Sequence, residues 1–323
     1  MARLSIITAF YNEAMNLPRF RERIQLLAHV PDIEIEIILV DDHSVDASRQ
    51  IALDWMHDDP RVSYVRLSRN CGSHAAFSAG MKHCTGDCAV LLAADLQDPP
   101  EVIPELLEKW RDGFDVVWAA RSDREGERWS TKLFANVYYR IMRSLALPEM
   151  PPGGADFLLM DRKVVTSYNS IPEKNTSFLA MILWMGFRQT SIEYVKQARF
   201  SGRSKWTLAR KVKLFIDSIV SFSYLPIRAM SLLGMLMAAA GALYAIVVIV
   251  GRLMGWVASG TGFAALMTVL LVGQGSVLLM LGILGEYLWR TFDEARGRPR
   301  YIIEECVESS DLSAAARGKE ASL

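Results

Sequence analysis

From residue 4 to about residue 121, short apolar and β-branched runs alternate with stretches whose apolar residues recur at helical spacing. That alternation predicts βαβ units and a largely parallel sheet, because parallel strands require a crossover that a helix supplies. Runs at 4–10, 35–40, 62–67, 88–93 and 115–119 predict strands, and their near-continuous apolar character suits burial on both faces. Between them, 14–27, 47–56, 74–82 and 101–110 predict helices, with Asp46 placed to cap the second and Pro99-Pro100 at the start of the fourth. A basic helical stretch at 128–143 leads into a loop punctuated by Pro148, Pro151, Pro152, Gly153 and Gly154, and 157–160 and 188–195 predict further strands. In such a sheet ligands collect outside the carboxyl ends of the strands, so the residues that follow each strand are where chemistry is expected.

The pattern changes after residue 205. Leu208, Val212, Phe215, Ile219 and Phe222 recur at helical spacing with Arg210, Lys211 and Lys213 among them, which predicts an amphipathic helix over 206–226 lying in a membrane interface. Residues 229–250 and 253–285 are uncharged, and each run is long enough for a bilayer core that needs about 20 apolar residues. The short connection at 251–262 makes a hairpin within 229–289, whose two flanks then face one side. Arg210, Lys211, Lys213 and Arg228 precede it and Arg290, Arg296, Arg298 and Arg300 follow it, against Arg252 alone in the turn. The positive-inside rule therefore places an α/β domain at 1–205 and a tail at 290–323 on the cytoplasmic side of the inner membrane. Beyond Glu304 the tail is small and polar, and disorder is expected there.

Charge and cysteine content narrow the picture. Among 323 residues, 36 Lys and Arg balance 36 Asp and Glu, so overall charge gives no reason to expect a nucleic-acid partner. Cys71, Cys84, Cys88 and Cys306 lack paired CxxC spacing and read as reduced thiols rather than zinc ligands. The chemistry must come from elsewhere.

Four polar segments follow predicted strands: Tyr11-Asn12-Glu13, Asp41-Asp42-His43-Ser44, Arg69-Asn70-Cys71-Gly72 and Asp95-Leu96-Gln97-Asp98-Pro99-Pro100. Side chains of these types bind ribose hydroxyls and base edges, and the acids hold a divalent cation against a pyrophosphate. One such segment alone reads as a helix cap or a solvated turn. Four at the same end of one sheet point to a ligand site. On these segments the chain resembles the inverting family-2 glycosyltransferases of the GT-A fold, and within them the polyprenyl-phosphate glycosyltransferases similar to dolichol-phosphate mannose synthase. Val40-Asp41-Asp42 with Ser44 and Asp46 resembles the family's VDDxSxD element, Asn70-Cys71-Gly72 its NxG element, and Asp95-Leu96-Gln97 its DLQ run. Asp156-Phe157 is similar to an acidic segment on the acceptor side, and Arg199, Gly202, Ser204, Lys205 and Trp206 to an RxxGxSKY stretch.

The resemblance implies a nucleotide-sugar donor, a polyprenyl phosphate acceptor, inversion at the anomeric carbon, and Mg²⁺ or Mn²⁺ as cofactor. It assigns donor binding to Tyr11, Asn12, Glu13, Asp42, Ser44, Asn70, Gly72, Asp95 and Ser204, and the metal to Asp95 and Gln97. Arg121, Arg124, Lys132, Arg199 and Lys205 are candidates for phosphate contacts, and Asp156 for orienting sugar or acceptor. Oligomers are common among such proteins, and Gly273, Gly275, Gly282 and Gly285 permit close helix contacts.

The chain departs from the family pattern at three positions. Ala93 stands where the first acid of a DxD metal motif is usual, which implies weaker metal binding in the absence of donor. Ala9 stands where proline is common and His43 where glycine is common, so loop geometry is open at both. Two other readings remain at this point. A processive polysaccharide synthase is disfavoured by only two spans and by the absence of a QxxRW run, and a non-catalytic nucleotide-sugar sensor is motivated by Ala93.

Overall fold

The computed structural model describes residues 1–123, 140, 143, 155–173, 177–195, 197, 225–255 and 262–308. Eight strands among them form one sheet: β1 Ala2–Phe10, β2 Ile33–Asp41, β3 Val62–Leu67, β4 Cys88–Ala93, β5 Val116–Asp123, β6 Ala155–Asp161, β7 Gln189–Val195 and β8 Ile303–Val307. Their spatial order is β7-β5-β6-β4-β1-β2-β3-β8. β3, β2, β1 and β4 run parallel, while β6 pairs antiparallel with β4 and β5, and β8 antiparallel with β3. The order reverses at β1, which lies between β2 and β4, and that switch point is where an open α/β sheet forms a crevice for ligands.

The surrounding helices are α1 Leu17–Gln25, α2 Ser48–Asp58, α3 Ser73–His83, α4 Ile103–Arg111, α5 Arg162–Ser170 and α6 Phe178–Trp184. One core joins Leu4, Ile6 and Leu39 of the strands with Leu17, Phe20 and Ile24 of α1, Trp55 of α2 and Leu106 of α4. Burying each such large side chain stabilises the fold by roughly 1.5–3 kcal/mol. The alternate residues Ile7 and Val40 face α3, which comes so close at Gly80 that a Cβ there would lie 2.2 Å from Ile7 Cγ2. This two-sided burial is what the continuous apolar runs of β1 and β2 require.

Expected boundaries shift where proline and turn chemistry intervene. α1 begins at Leu17 rather than residue 14, because Pro18 occupies its first turn and Asn16 N bonds Glu13 O at 2.9 Å in a preceding turn. α4 begins at Ile103, after a 3-10 turn over Pro100–Val102. Asp46 does serve the start of α2, accepting from Ser48 N at 3.0 Å, although Ala47 holds the cap position itself.

The largest difference is at the C-terminus. Residues 305–307, expected within a disordered tail, belong to the edge strand β8, so the unit that contains the sheet draws on chain from both sides of the hairpin. Adjacent Glu304 and Glu305 hide this strand from a hydropathy reading; ion pairs to Arg66 and Arg49 hold them at the edge. Of the interfacial helix expected over 206–226, residues 206–224 lie outside the described residues.

The second unit contains α7 Leu225–Leu253 and α8 Phe263–Ala295, two long apolar helices whose segments Pro226–Gly251 and Val269–Ala295 suit membrane spans. At 26 residues the first is about 39 Å long, enough to cross a hydrocarbon core of about 30 Å. Neither span is buried by protein, as expected of helices surrounded by lipid, and the chain is a membrane protein. Ser276 Oγ donates to Met237 Sδ at 3.2 Å across the hairpin. A Cβ at Gly273, Gly275, Gly282 or Gly285 would meet nothing within 4 Å, so these glycines are not where the two helices touch.

Candidate active site at the strand ends

The registers bring four loops together. Phe10 pairs with Asp41, Ala9 with Ala93 and Asp41 with Arg66, so β1 to β4 end side by side. Each loop turns on a left-handed residue: Asn12 (φ 53°), His43 (φ 65°), Gly72 (φ 88°) and Leu96 (φ 61°). Among the described residues only one other non-glycine, Asp32, has a positive φ. Non-glycine residues in this region cost about 1 kcal/mol each, and such strain concentrates where a chain builds a binding site. The glycine common at position 43 is thereby explained. His43 takes the same backbone conformation, with its Nδ1 held 3.1 Å from Leu67 O.

The first three loops are tied to one another through their own side chains. Asn12 N donates to Ser44 Oγ at 3.0 Å, Val45 N to Asn12 Oδ1 at 2.9 Å, and Glu13 N to Ser48 Oγ at 2.8 Å. Asp42 is buried, and its two oxygens accept Cys71 N at 2.6 Å and Gly72 N at 2.8 Å. Burial pushes the Asp42 carboxyl above its ordinary range, against the opposing pull of these two amides. Asp41, wholly buried, accepts Ser44 N at 2.6 Å, Tyr64 hydroxyl at 2.9 Å and Arg66 Nη1 at 2.6 Å. Burial, then the nearby Asp41 charge, pushes the Tyr64 hydroxyl upward, so it remains a donor. Asn70 is exposed beside this frame, and Tyr11 is half-buried.

The fourth loop is built differently. Asp95 and Gln97 are half-buried, and the hydrogen bond from Gln97 N to Asp95 Oδ1 is long, at 3.3 Å. Asp98 is buried instead and accepts the Tyr194 hydroxyl at 2.5 Å. Burial first, and Asp98 second, push that hydroxyl upward, while a hydrogen bond with Arg121 opposes them. Arg121 thus lies with Tyr194 and Asp98, at the end of β5 on the same edge of the sheet. Gln197 N bonds Gln97 O at 2.9 Å, which brings the chain after β7 back to this loop.

Asp95 and Gln97 form an oxygen-only pair of the type that suits Mg²⁺ or Mn²⁺ completed by waters and phosphate oxygens. With Ala93 in the strand, Asp95 has no partner acid two residues earlier. Among the described residues, the group of three metal-ligating types with ligand atoms within 4.8 Å of one another is His83, Cys306 and Glu308, at the far end of α3. All four cysteines are free thiols. Arg124, Lys132, Arg199, Ser204 and Lys205 lie outside the described residues, as does the side chain of Asp156.

Sequence reasoning missed Arg66, Tyr64, Ser48 and Glu304, all of which support the loops. Tyr64 and Arg66 sit two apart on β3, and a tyrosine and an arginine facing one way on a short buried strand were the available signal. No local pattern could bring Glu304 to Arg66 from 238 residues away.

A doubly wound sheet with nucleotide-type loops at its switch point and acidic side chains at its strand ends is the framework of GT-A glycosyltransferases. The description "Glycosyl transferase family 2" matches residues 5–168. The chain belongs to that family and is a glycosyltransferase. It is 38% identical to "Uncharacterized glycosyltransferase YkcC" of Bacillus subtilis over 93% of each chain. It is 35% identical to "Undecaprenyl-phosphate 4-deoxy-4-formamido-L-arabinose transferase" of Pseudomonas fluorescens, over 97% of this chain and 92% of that one. It is also 32% identical to "SfII prophage-derived bactoprenol glucosyl transferase" of Shigella flexneri, over 94% of this chain and 98% of that one.

Proposed function

We propose that the chain transfers a sugar from a UDP- or GDP-linked donor to a polyprenyl phosphate, with inversion, on the cytoplasmic face of the inner membrane, for cell-envelope glycan modification. The observation that carries this reading is similarity along nearly the whole chain, hairpin included, to relatives named for transfer to bactoprenol or undecaprenyl phosphate. The pairing of β8 with β3 supports the topology, because it joins the chain before and after the hairpin in one sheet.

The acceptor phosphate is already anionic at neutral pH, so its oxygen can attack the anomeric carbon without a strong general base. As that C–O bond forms, the bond to the donor diphosphate breaks and its electron pair leaves with the nucleoside diphosphate. The protein's task is alignment and neutralisation of the leaving charge. We assign the nucleoside to Tyr11, Asn12, Glu13, Ser44, Asn70 and Gly72, with Asp42 shaping the loop that contains Gly72. Asp95 and Gln97 would hold Mg²⁺ or Mn²⁺, which when bound supplies positive charge to the diphosphate. Arg121, Arg124, Lys132, Arg199, Ser204 and Lys205 are assigned to phosphate groups, and Asp156 to orienting sugar or acceptor.

The test is incubation of the purified chain in nanodiscs with labelled UDP- and GDP-sugars and undecaprenyl phosphate, with and without Mg²⁺ or Mn²⁺. A lipid-linked sugar whose formation depends on the cation is expected. Nucleotide binding with no lipid-linked product from any donor would replace this reading with that of a sensor.

A further inference from the structure

The strand that follows the membrane hairpin does more than close the sheet edge. Arg66, nearly buried with 13% of its side chain exposed, holds three groups at once. Its Nη1 donates to Asp41 Oδ2 at 2.6 Å, its Nη2 to Ser44 O at 3.2 Å, and its Nε to Glu304 Oε2 at 2.8 Å. The same Glu304 oxygen lies 3.4 Å from His43 Nδ1. One carboxylate on β8 therefore contacts both the arginine that braces the Asp41–Ser44 turn and the left-handed residue at its tip.

The backbone fixes this contact. β8 pairs with β3 so that Glu305 lies opposite Arg66, and Ser68 N donates to Ile302 O at 2.9 Å beyond the last strand pair. The register shifts between Arg66 and Leu67, which leaves Glu304 as the unpaired residue beside Glu305, and Glu305 pairs with Arg49 of α2 at 2.7 Å instead. The two adjacent glutamates thus have different arginine partners, which lets their roles be tested separately.

We propose that Glu304 is a positioning residue of the donor site, acting through Arg66 and His43 to hold the Asp41–Ser44 turn in its nucleotide-binding shape. The inference rests on the donor-site reading above. A guanidinium with a single carboxylate partner can swing about that bond. With Asp41 on one side and Glu304 on the other, Arg66 is clamped, and the hydrogen bond it gives to Ser44 O is fixed in direction. His43 takes the strained conformation that a glycine would adopt freely, and a carboxylate beside its ring offsets part of that cost. The segment returning from the membrane is in this way a component of the nucleotide pocket, although it touches no nucleotide.

The experiment measures UDP and GDP binding, with MgCl₂ present, to the full chain in nanodiscs, comparing wild type with Glu304→Gln, Glu304→Asp and Glu305→Gln. Expected for Glu304→Gln is about a tenfold loss of nucleotide affinity, the size of one charged hydrogen bond. Glu304→Asp recovers part of that loss, and Glu305→Gln binds as wild type. In the transfer assay, Glu304→Gln raises donor KM while kcat stays within about twofold. Wild-type affinity in Glu304→Gln would overturn the proposal, and so would an equal loss in Glu305→Gln, which would mean that only the edge strand's attachment matters. Failure of the wild-type chain to bind either nucleotide is a separate outcome, visible before any variant is made. It would remove the donor-site reading and the proposal with it.

Discussion

The loops after β2 and β4 both present acids at the end of a buried parallel strand, and they use them in opposite ways. Asp41 and Asp42 are spent on the protein itself, accepting two backbone amides at Cys71 and Gly72, another at Ser44, a tyrosine hydroxyl and an arginine. Asp95 and Gln97 remain half-exposed, and the acid that anchors their loop is Asp98, one residue further on. One acidic loop thus turns both of its acids to its own frame, and the other ties a buried Asp98 to Tyr194 while Asp95 stays half-buried. Acidity at a strand end is therefore no guide to chemistry until its hydrogen bonds are counted.

This contrast can be broken most severely at Asp41. Asp41→Ala leaves Arg66 and Tyr64 facing an empty buried position, and a loss of about 3–5 kcal/mol in unfolding free energy is expected. Denaturant melts of the purified chain read it; an unchanged midpoint would mean that the network contributes nothing to the frame. Asp95→Ala is expected to leave the melt unchanged while transfer falls by about 10²-fold or more and its metal dependence disappears. A full-speed Asp95→Ala enzyme would move the metal elsewhere.

The loop that Asp42 holds at Gly72 leads to His74, in the first turn of α3. Burial, and next the nearby Arg300, lower its pKa from 6.5 to about 4, and its ring packs edge-on against Phe178 at 4.9 Å. The unfolded chain then binds a proton at His74 between pH 6.5 and about 4 that the folded chain refuses. Stability from this group is full above pH 6.5 and is lost as pH falls toward about 4. The loss amounts to about 2 kcal/mol, less than the whole shift because the residue is half-buried rather than fully buried. Melts across that range should show the slope in wild type and a shallower one in His74→Phe. The smallest change expected sharpens the other loop. Ala93→Asp supplies a second acid and should raise Mn²⁺ affinity without donor by about tenfold in a calorimetric titration. No change would argue against Asp95 and Gln97 as the metal pair.

Much of this was legible in the sequence, and the reasons differ by region. β1 to β4 declared themselves because strands buried on both faces carry apolar runs with few polar interruptions, and the loops because they follow such strands directly. The helix starts drifted by a few residues wherever a proline or a side-chain-capped turn intervened, as before Leu17 and Ile103. The division of labour between Asp42 and Asp95 was not legible, since both are aspartates after strands and only the positions of Cys71 and Gly72 amides tell them apart. β8 was not legible either. Its charged residues look like tail until the arginines that receive them are brought within reach by tertiary folding.

That last strand also orders events during synthesis. The edge of β3 stays open until residues 303–307 have emerged, which is after both spans of the hairpin have left the ribosome. An open edge recruits other strands, so a nascent chain whose hairpin stalls carries an adhesive domain. Completion of the sheet is therefore a late event: the strand that closes the edge of the glycosyltransferase domain is made only after both spans of the anchor.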